Sequence, residues 1–309
     1  MVANIKYYVG IDGGGTNSRM LVTDENMNPL LRVVGGSTNL DSNTKEFVLG
    51  NFDIMFAELA KNGLRKEDCI SLCIGSAGLN SESSCKRMEE MIREAGFSCR
   101  ASAVNDSLLV LAGAFSGKPG AVLVCGTGSI AYGMDADGNT IRCGGWGHFI
   151  DDKGSAYWIG KEAVRRAFFS YDGRGEKTVL ESVLKERYEV NVLPECLDRF
   201  YGPDALNKTE IAQLSLVVEE HAKQGDAVCL QILSDAADGL AALVSAVLKA
   251  MRAHCKSLIV SGGTIENNDI LFELLERKLH GVYPGFSIAK IEKEPIWGAI
   301  YLASNRNNL

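Results

Sequence analysis

The sequence lacks an excess of positive charge, a long apolar run and any charge block. Its formal net charge is -7, so nucleic acid and acidic membrane surfaces are poor partners. The apolar runs fall short of the ~20 residues that span a bilayer. The first six residues lead almost directly into a strand-like segment, without the apolar stretch of a signal peptide. We therefore expect a cytoplasmic protein that binds neither nucleic acid nor membrane.

The cysteines also lack a pattern. There are nine of them, an odd number, with no pair separated by two residues, and several lie inside apolar runs. Disulfide frameworks and zinc sites use regular spacings that are missing here. The cysteines are therefore predicted to be reduced and mostly buried, as is typical of the cytosol.

With 309 residues, 46% apolar and 23% charged, the chain is an ordinary globular sequence and exceeds what one hydrophobic core usually supports. Strand-like segments at 6–11, 19–23 and 30–34 are followed by a helical pattern at 44–61 and by strand–helix alternation up to about residue 117. This alternation predicts an α/β fold. We expect a first domain over 1–117 and a second over 118–309.

The second half begins like the first. A strand, a glycine-rich turn and another strand occur near residue 12 and again near residue 126, which suggests two related halves. The chain is then predicted to be largely helical over 155–169 and 210–254, followed by a strand at 257–260, a helix at 269–279 and a final helix from 296.

Two familiar phosphate motifs are missing. There is neither G-x-x-x-x-G-K-[ST] nor a G-x-G-x-x-G after the first strand, which argues against P-loop enzymes and Rossmann dehydrogenases. Instead, glycine turns with a hydroxyl residue follow apolar strands at 13–16, 126–129 and 261–264. Each alone is an ordinary turn, but successive N–H groups in such turns can bind anions. The three turns together indicate a fold that holds nucleotide phosphates between two domains.

At this point the sequence resembles a known family. Residues 11–17 (IDGGGTN), 125–129 (CGTGS) and 260–263 (VSGG) are similar to the two phosphate motifs and the adenosine motif of the sugar kinase/Hsp70/actin superfamily. Further motifs resemble its N-acetylglucosamine kinase branch, grouped with the BadF/BadG/BcrA/BcrD ATPases: 37–39 (STN), 105–106 (ND), 143–148 (CGGWGH), 154–160 (GSAYWIG), 171–175 (YDGRG) and 295–299 (PIWGA). The matches span nearly the whole chain in the expected order.

The resemblance implies two ribonuclease H-like domains with a cleft between them, and a final helix at 296–306 that packs back on the first domain. It implies a kinase that uses ATP and Mg²⁺ to phosphorylate an amino sugar, N-acetylglucosamine first, at the 6-hydroxyl. N-acetylmuramic acid and glucosamine fit the same description. The family also implies a homodimer.

Roles for single residues follow from the resemblance. Asp106 would be the base that takes the proton of the sugar hydroxyl. A helix N-cap is the alternative explanation for an acid there, and both roles can hold together. Asp12 would hold Mg²⁺ through water, or serve only to cap a turn.

The remaining roles concern ligand contacts. ATP phosphates would contact Gly14, Gly15, Thr16, Gly126, Thr127 and Gly128, and the adenosine would contact Gly262 and Gly263. The sugar would contact Ser37, Thr38, Asn39, Asp106, Gly145, Trp146, Gly147 and Asp152. The alternatives are a core role for Trp146 and an ordinary polar loop at 37–39, and His148 is expected to be structural.

The sequence departs from the family at one place. Asp151 and Lys153 stand where the family usually has glycine and glutamate, which leaves the identity of the sugar open. Lys153 is either an ordinary surface lysine or a charge that favours an acidic sugar.

Two other classes compete with the kinase. An iron–sulfur activator ATPase of 2-hydroxyacyl-CoA dehydratase would need ligand cysteines in exposed glycine turns near a dyad, with Cys125 and Cys143 as the candidates. A sugar-sensing transcription regulator would need a helix-turn-helix before the first phosphate strand, and a less acidic chain.

Overall fold

The computed structural model describes residues 5–116, 118–251 and 255–305, and these residues form two compact units. The first unit comprises the described parts of Met1–Pro119, Ala136–Gly138 and Ile291–Leu309, and the second comprises Gly120–Asp135 and the described parts of Asn139–Lys290. Residue 117, where the sequence places the domain boundary, and residue 306, the predicted end of the last helix, lie outside the described residues.

The first unit is a five-stranded sheet with helices. Its elements are β1 (Tyr7–Gly13), β2 (Asn17–Asp24), β3 (Pro29–Gly36), α1 (Lys45–Lys61), β4 (Cys69–Ser76), α2 (Glu82–Glu94), β5 (Arg100–Asn105), α3 (Asp106–Phe115) and, from the end of the chain, α11 (Ile296–Ser304). The strand order is β3-β2-β1-β4-β5. The pairs β1–β2 and β2–β3 are antiparallel, whereas β4 runs parallel to both β1 and β5. The three strand-like segments predicted at 6–11, 19–23 and 30–34 correspond to β1, β2 and β3.

Local signals explain the helices of this unit. Thr44 caps α1 by accepting a hydrogen bond from Phe47 N, and Ser81 caps α2 by accepting one from Ser84 N. One face of α1 is buried against the sheet, and its residues are Val48, Phe52, Met55, Phe56 and Leu59. Capping oxygens satisfy the free N–H groups of a first helical turn, and the apolar face supplies the burial that stabilises the helix.

Helix α11 packs on β1 and α3 within this unit. A Cβ atom added at Gly298 would lie 1.9 Å from the carbonyl oxygen of Leu109, and one at Gly113 would lie 3.3 Å from Gly298 N. Only residues without a side chain allow two helices to come this close. Gly298 therefore fixes α11 against the helix that carries Asp106.

The second unit has the same kind of layer. Its elements are β6 (Gly120–Cys125), β7 (Ser129–Met134), β8 (Thr140–Gly144), α4 (Ala156–Tyr171), α5 (Leu180–Arg187), α6 (Asp198–Tyr201), α7 (Lys208–Lys223), α8 (Ala227–Ala250), β9 (Ser257–Ser261), α9 (Gly263–Asn267), α10 (Asp269–Val282) and β10 (Ser287–Lys290). The strand order is β10-β9-β6-β7-β8. A mixed five-stranded sheet thus occurs in each unit, and the predicted α/β class is confirmed.

The stretch over 210–254, predicted to be largely helical, is largely helical in its described residues, and its last residues, 252–254, lie outside the described part of the chain. It divides between α7 and α8, because Gly225 takes a φ of 92° and Asp226 caps α8 by accepting from Cys229 N. A positive φ is strained for other residues and ends a helix cheaply at glycine.

Among the described helices, α8 alone is long and apolar enough to span a membrane by composition. Sequence reasoning missed this feature. More than half of its most apolar window is buried, and it lies in the core of the second unit with residues such as Leu233, Leu240 and Val247. Its apolar character is accounted for by this core position.

Candidate active site

The first glycine turn joins β1 to β2. Gly14 N donates to Asn17 O at 2.9 Å and closes the hairpin. A Cβ at Gly13 would lie 2.1 Å from Thr38 Oγ1, so no side chain fits there. Gly15 and Thr16 are exposed at the tip. The turn therefore presents backbone and hydroxyl donors to solvent, as an anion-binding turn requires.

A buried polar layer supports this turn. Ser18 Oγ donates to Thr38 Oγ1 at 3.0 Å, and the Thr38 and Ser76 hydroxyls share a hydrogen bond of 3.2 Å. Ser37 Oγ donates to Gly14 O at 3.1 Å and accepts from Asn43 Nδ2 at 3.0 Å. Ser37 and Thr38 are buried and their hydroxyls bond within the protein, so they position the turn.

Asn39, in contrast, is half-buried, and its Oδ1 accepts from Asp41 N at 2.8 Å. The three residues predicted to contact sugar therefore differ in position. Ser37 and Thr38 lie against the first glycine turn, and a sugar contact by any of the three residues stays a prediction.

Asp12 and Asp106 meet at one edge of the first sheet. Asp12 is paired with Gly75 on β4, and Gly75 is paired with Val104 on β5. Asp106 follows β5 directly. Because β1, β4 and β5 are parallel, their carboxyl ends lie at the same edge, and both carboxylates lie there.

Burial raises the pKa of both carboxyl groups. For Asp106, the hydrogen bond from Ser107 N partly offsets this effect and the charge of Asp12 adds to it. For Asp12, Arg19 acts in the opposite direction and Glu294 adds to the rise. A carboxylate with a raised pKa is a better proton acceptor than an exposed aspartate.

The hydrogen bonds at the start of α3 show which residue caps this helix. Asn105 is the N-cap of α3, and its Oδ1 accepts from Ser107 N at 3.1 Å. Asp106 is the first helical residue, and its Oδ1 accepts from the same N–H at 2.9 Å. The cap is thus already provided by its neighbour, so capping alone does not explain the acid at 106.

The second glycine turn joins β6 to β7 in the second unit. Gly126 N donates to Gly128 O at 2.9 Å, and Gly126 O accepts from Thr264 Oγ1 and from Ala156 N, each at 2.9 Å. Thr127 is exposed at the tip. This turn resembles the first one in having a fixed base and an exposed hydroxyl.

The buried side chain of Asp152 supports this turn. It is 3% exposed and has a φ of 66°. Its Oδ1 accepts from Ser129 N at 3.1 Å, and its Oδ2 lies 3.0 Å from Lys208 Nζ. Asp152 was predicted to contact sugar, and that role stays a prediction. Its contacts show that Asp152, paired with Lys208, supports the end of the second glycine turn at residues 128–129.

Lys208 was missed by sequence reasoning because it lies 56 residues away. One signal was present: it is the first residue of α7, where the helix dipole disfavours a cation. A lysine at that position needs a compensating partner, and Asp152 is that partner.

The third turn lies beside the second. Gly262 has a φ of 104°, and a Cβ there would lie 2.5 Å from Cys125 O. Glu266 Oε1 accepts from Gly262 N at 2.6 Å and from Ser261 Oγ at 3.1 Å. Gly263 opens α9, so half of the predicted turn is helical. Glu266, which sequence reasoning did not select, holds the predicted adenosine segment close to the second glycine turn.

The loop at 145–150 is exposed and carries apolar side chains. Trp146 is 60% exposed and stacks on the Arg142 guanidinium at 4.4 Å from the ring centroid. Phe149 and Ile150 are also exposed. Gly145 and Gly147 have positive φ. Trp146 is therefore not a core residue and is accessible to a ligand.

The neighbours of this loop have structural contacts. The His148 ring packs edge-on against Tyr157 at 4.7 Å. Lys153 is exposed, and its Nζ lies 5.8 Å from the centre of the Trp158 ring. Asp151 Oδ2 accepts from Trp146 N at 3.5 Å.

The donors available for Mg²⁺ fit a water-mediated site. Within the described ranges no group of three or more His, Cys, Asp or Glu side chains could hold a metal. Mg²⁺ bound with a nucleotide needs only one or two carboxylates, since waters and phosphates complete its octahedron. Asp12 and Asp106 supply that number.

The cysteines named for an iron–sulfur cluster do not lie in exposed turns. Cys125 is fully buried and its Sγ donates to Gly154 O at 3.4 Å, and Cys143 is half-buried within β8. Burial raises the pKa of both thiols, that of Cys125 to about 12. Cluster ligands are thiolates, so neither position favours that chemistry.

Two mixed five-stranded sheets, each entered by a hairpin with a glycine turn, define the fold of the sugar kinase/Hsp70/actin superfamily. The solved structure of a putative N-acetylglucosamine kinase from Chromobacterium violaceum is similar, with a TM-score of 0.77, 23% identity and coverage of 97% of this chain and 99% of that one. A glucokinase of the ROK family from Streptomyces griseus, solved with glucose and AMPPNP, has a TM-score of 0.56 at 17% identity, with coverage of 96% and 99%.

The chain belongs to the BadF/BadG/BcrA/BcrD ATPase family, whose model matches residues 9–303. It is 35% identical over 302 residues to an N-acetylmuramic acid/N-acetylglucosamine kinase from Clostridium acetobutylicum, covering 97% of this chain and 98% of that protein. It is 32% identical over 311 residues to an N-acetyl-D-glucosamine kinase from Dictyostelium discoideum, covering 96% and 98%. The family predicted from the motifs is confirmed.

Proposed function

We propose that this protein is an ATP-dependent kinase that transfers the γ-phosphate of ATP to a hydroxyl of an amino sugar. The relatives that match it over nearly their whole length are named as kinases of N-acetylglucosamine and N-acetylmuramic acid. N-acetylglucosamine is the first substrate that we propose, with the 6-hydroxyl as acceptor. N-acetylmuramic acid and glucosamine are the alternatives.

The observation that carries the proposal is the position of Asp106. Its carboxylate lies at the first turn of α3, with a pKa raised by burial, beside Asp12 and at the same sheet edge as the first glycine turn. Asp106 accepts the proton of the attacking hydroxyl, the new O–P bond forms, and the bond between the γ-phosphorus and the bridging oxygen breaks to release ADP. Orientation and proton transfer are the main contributions that a protein makes to this reaction.

The glycine turns hold the phosphates. Backbone N–H groups and the Thr16 and Thr127 hydroxyls donate to phosphate oxygens, and the segment at 262–263 contacts the adenosine. Mg²⁺ would neutralise charge on the phosphates, and Asp12 would hold it through water. Trp146, from its exposed loop, covers the sugar.

We infer that the protein is cytoplasmic and binds neither nucleic acid nor membrane, because the chain is acidic and its nine cysteines are free thiols. The homodimer is proposed from the resemblance to the family.

The test is release of ADP measured against N-acetylglucosamine, N-acetylmuramic acid, glucosamine and glucose, with and without Mg²⁺. The proposal requires sugar-dependent ADP release that is highest with an N-acetylated amino sugar, together with a phosphosugar product. Hydrolysis of ATP that is indifferent to every sugar, or a preference for glucose, would contradict it.

A further inference from the structure

We propose that Cys69 and Cys99 form a dithiol site that hydroperoxides oxidise to a reversible disulfide. The proposal is independent of the kinase reaction. Cys69 is the first residue of β4, and Cys99 directly precedes the adjacent parallel strand β5. Their sulfur atoms are 3.5 Å apart although the residues are 30 positions apart in the chain. The approach needed for an S–S bond of about 2 Å is therefore short.

The two thiols differ in access. Cys69 is 6% exposed and belongs to the core cluster of the first unit, whereas Cys99 is half-buried and packs against that cluster from outside. A hydroperoxide in solvent therefore meets Cys99 first. The buried partner is protected from the oxidant but lies within reach of the oxidised sulfur.

The electrostatics support the same order. The hydrogen bond between the two sulfur atoms lowers the pKa of Cys99 and, together with burial, raises the pKa of Cys69. Burial raises the pKa of the other half-buried cysteines, Cys85, Cys143 and Cys255. Since the thiolate is the reactive form, Cys99 is the more nucleophilic member of the pair.

The chemistry balances with one hydroperoxide. The Cys99 thiolate attacks the peroxide O–O bond, takes one oxygen to form a sulfenic acid and releases water or an alcohol. The Cys69 sulfur then attacks the sulfenic sulfur, forms the S–S bond and expels the second oxygen as water. Two thiols are oxidised by two electrons and the peroxide is reduced by two, which places the pair on the reversible part of cysteine oxidation.

The position of the pair separates it from catalysis. Cys69 begins β4 and Cys99 precedes β5, whereas Asp106 follows the opposite end of β5. The strands place these ends roughly 20 Å apart, at about 3.3 Å per residue. The bridge would tie the two strand starts together and enclose α2, away from the glycine turn.

The test treats the full-length protein with a small excess of hydrogen peroxide, alkylates it and maps its peptides without reduction. The nine thiols should fall by two per chain, one peptide should join Cys69 to Cys99, and dithiothreitol should restore both thiols. Earlier loss of Cys85, Cys143 or Cys255, or oxidation of Cys99 without a bridged peptide, would overturn the proposal.

Three variants sharpen the result. In Cys69→Ser the sulfenic acid has no partner, so dimedone should label Cys99 and no bridge should form. Cys85→Ser, a half-buried cysteine of α2, is the matched control and should bridge like wild type. In Cys99→Ser the peroxide should leave Cys69 unmodified, and oxidation of Cys69 at the wild-type rate would refute the assigned order. Unchanged circular dichroism in each variant confirms that it has folded.

Discussion

At the scale of single residues, the first question is whether Asp106 acts as the catalytic base or only helps to cap helix α3. Its neighbour Asn105 already caps α3, so Asp106→Asn removes the base without removing the cap. We expect kcat to fall by roughly 10²- to 10⁴-fold while ATP binding in calorimetry is kept. Asp24→Asn, at the end of β2 next to the exposed turn that leads to β3, should leave kcat unchanged. A near-normal kcat in Asp106→Asn would remove the assignment.

The raised pKa of Asp106 also predicts a cost in stability. The fold favours its protonated form, so the charged carboxylate is unfavourable above the folded pKa and costs nothing below the unfolded value of ~3.9. Asp106→Asn should therefore have a higher Tm than wild type at pH 7, and the difference should shrink as the pH falls toward 4. A lower Tm for the variant at pH 7 would show that burial is not the dominant effect.

Lys153 is the residue through which substrate choice can be tested. It is exposed and next to Asp152, so a pairing with an acidic sugar is worth up to ~1 kcal/mol, about fivefold in affinity. If Lys153 favours an acidic sugar, Lys153→Glu lowers kcat/KM for N-acetylmuramic acid several-fold more than for N-acetylglucosamine. The difference should be larger at low salt. Equal losses on the two sugars would make Lys153 an ordinary surface lysine.

At the scale of elements, the second glycine turn depends on a helix that is remote in sequence. Lys208, at the start of α7, pairs with the buried Asp152, which accepts from Ser129 N. Lys208→Met would leave a buried carboxylate unpaired, which costs up to several kcal/mol when the site is dry; the partial exposure of Lys208 reduces this.

We expect Lys208→Met to raise the KM for ATP more than the KM for sugar, because the turn that it disturbs is the predicted phosphate turn. Lys208→Arg keeps the charge and should recover most of the loss. Lys223 pairs with Glu219 at the other end of the same helix. Lys223→Met is therefore the control and should change neither KM. An equal rise in both KM values would indicate general damage to the second unit.

At the scale of the whole molecule, the two predicted phosphate turns are carried by different units. We predict that the units close when sugar binds, which would exclude water and suppress wasteful hydrolysis of ATP. Small-angle scattering should then give a smaller radius of gyration with saturating N-acetylglucosamine than without it, and glucose at the same concentration is the control. A scattering profile that does not change with sugar would contradict closure.

The sequence by itself determined the family, the α/β class and the two hairpins with glycine turns. These features are local: a β-branched run, a turn of glycines and a hydroxyl residue specify a hairpin wherever they occur. The absence of P-loop and Rossmann motifs argued against two other classes of nucleotide-binding fold. The position of Asp106 directly after a strand was likewise readable, since the strand and the helix start are both marked in the sequence.

Only the tertiary structure decided which polar residues are exposed and which bond within the protein to support the turns. Ser37 and Thr38 bond beneath the first turn, Asp152 pairs with Lys208, and Glu266 holds Gly262. Such partners lie far apart in the chain or on different elements, and a carboxylate or hydroxyl has no periodicity that reveals its partner. The 3.5 Å distance between the Cys69 and Cys99 sulfur atoms could not be predicted either. The register of two strands brings these residues together, and their spacing in the sequence does not indicate it.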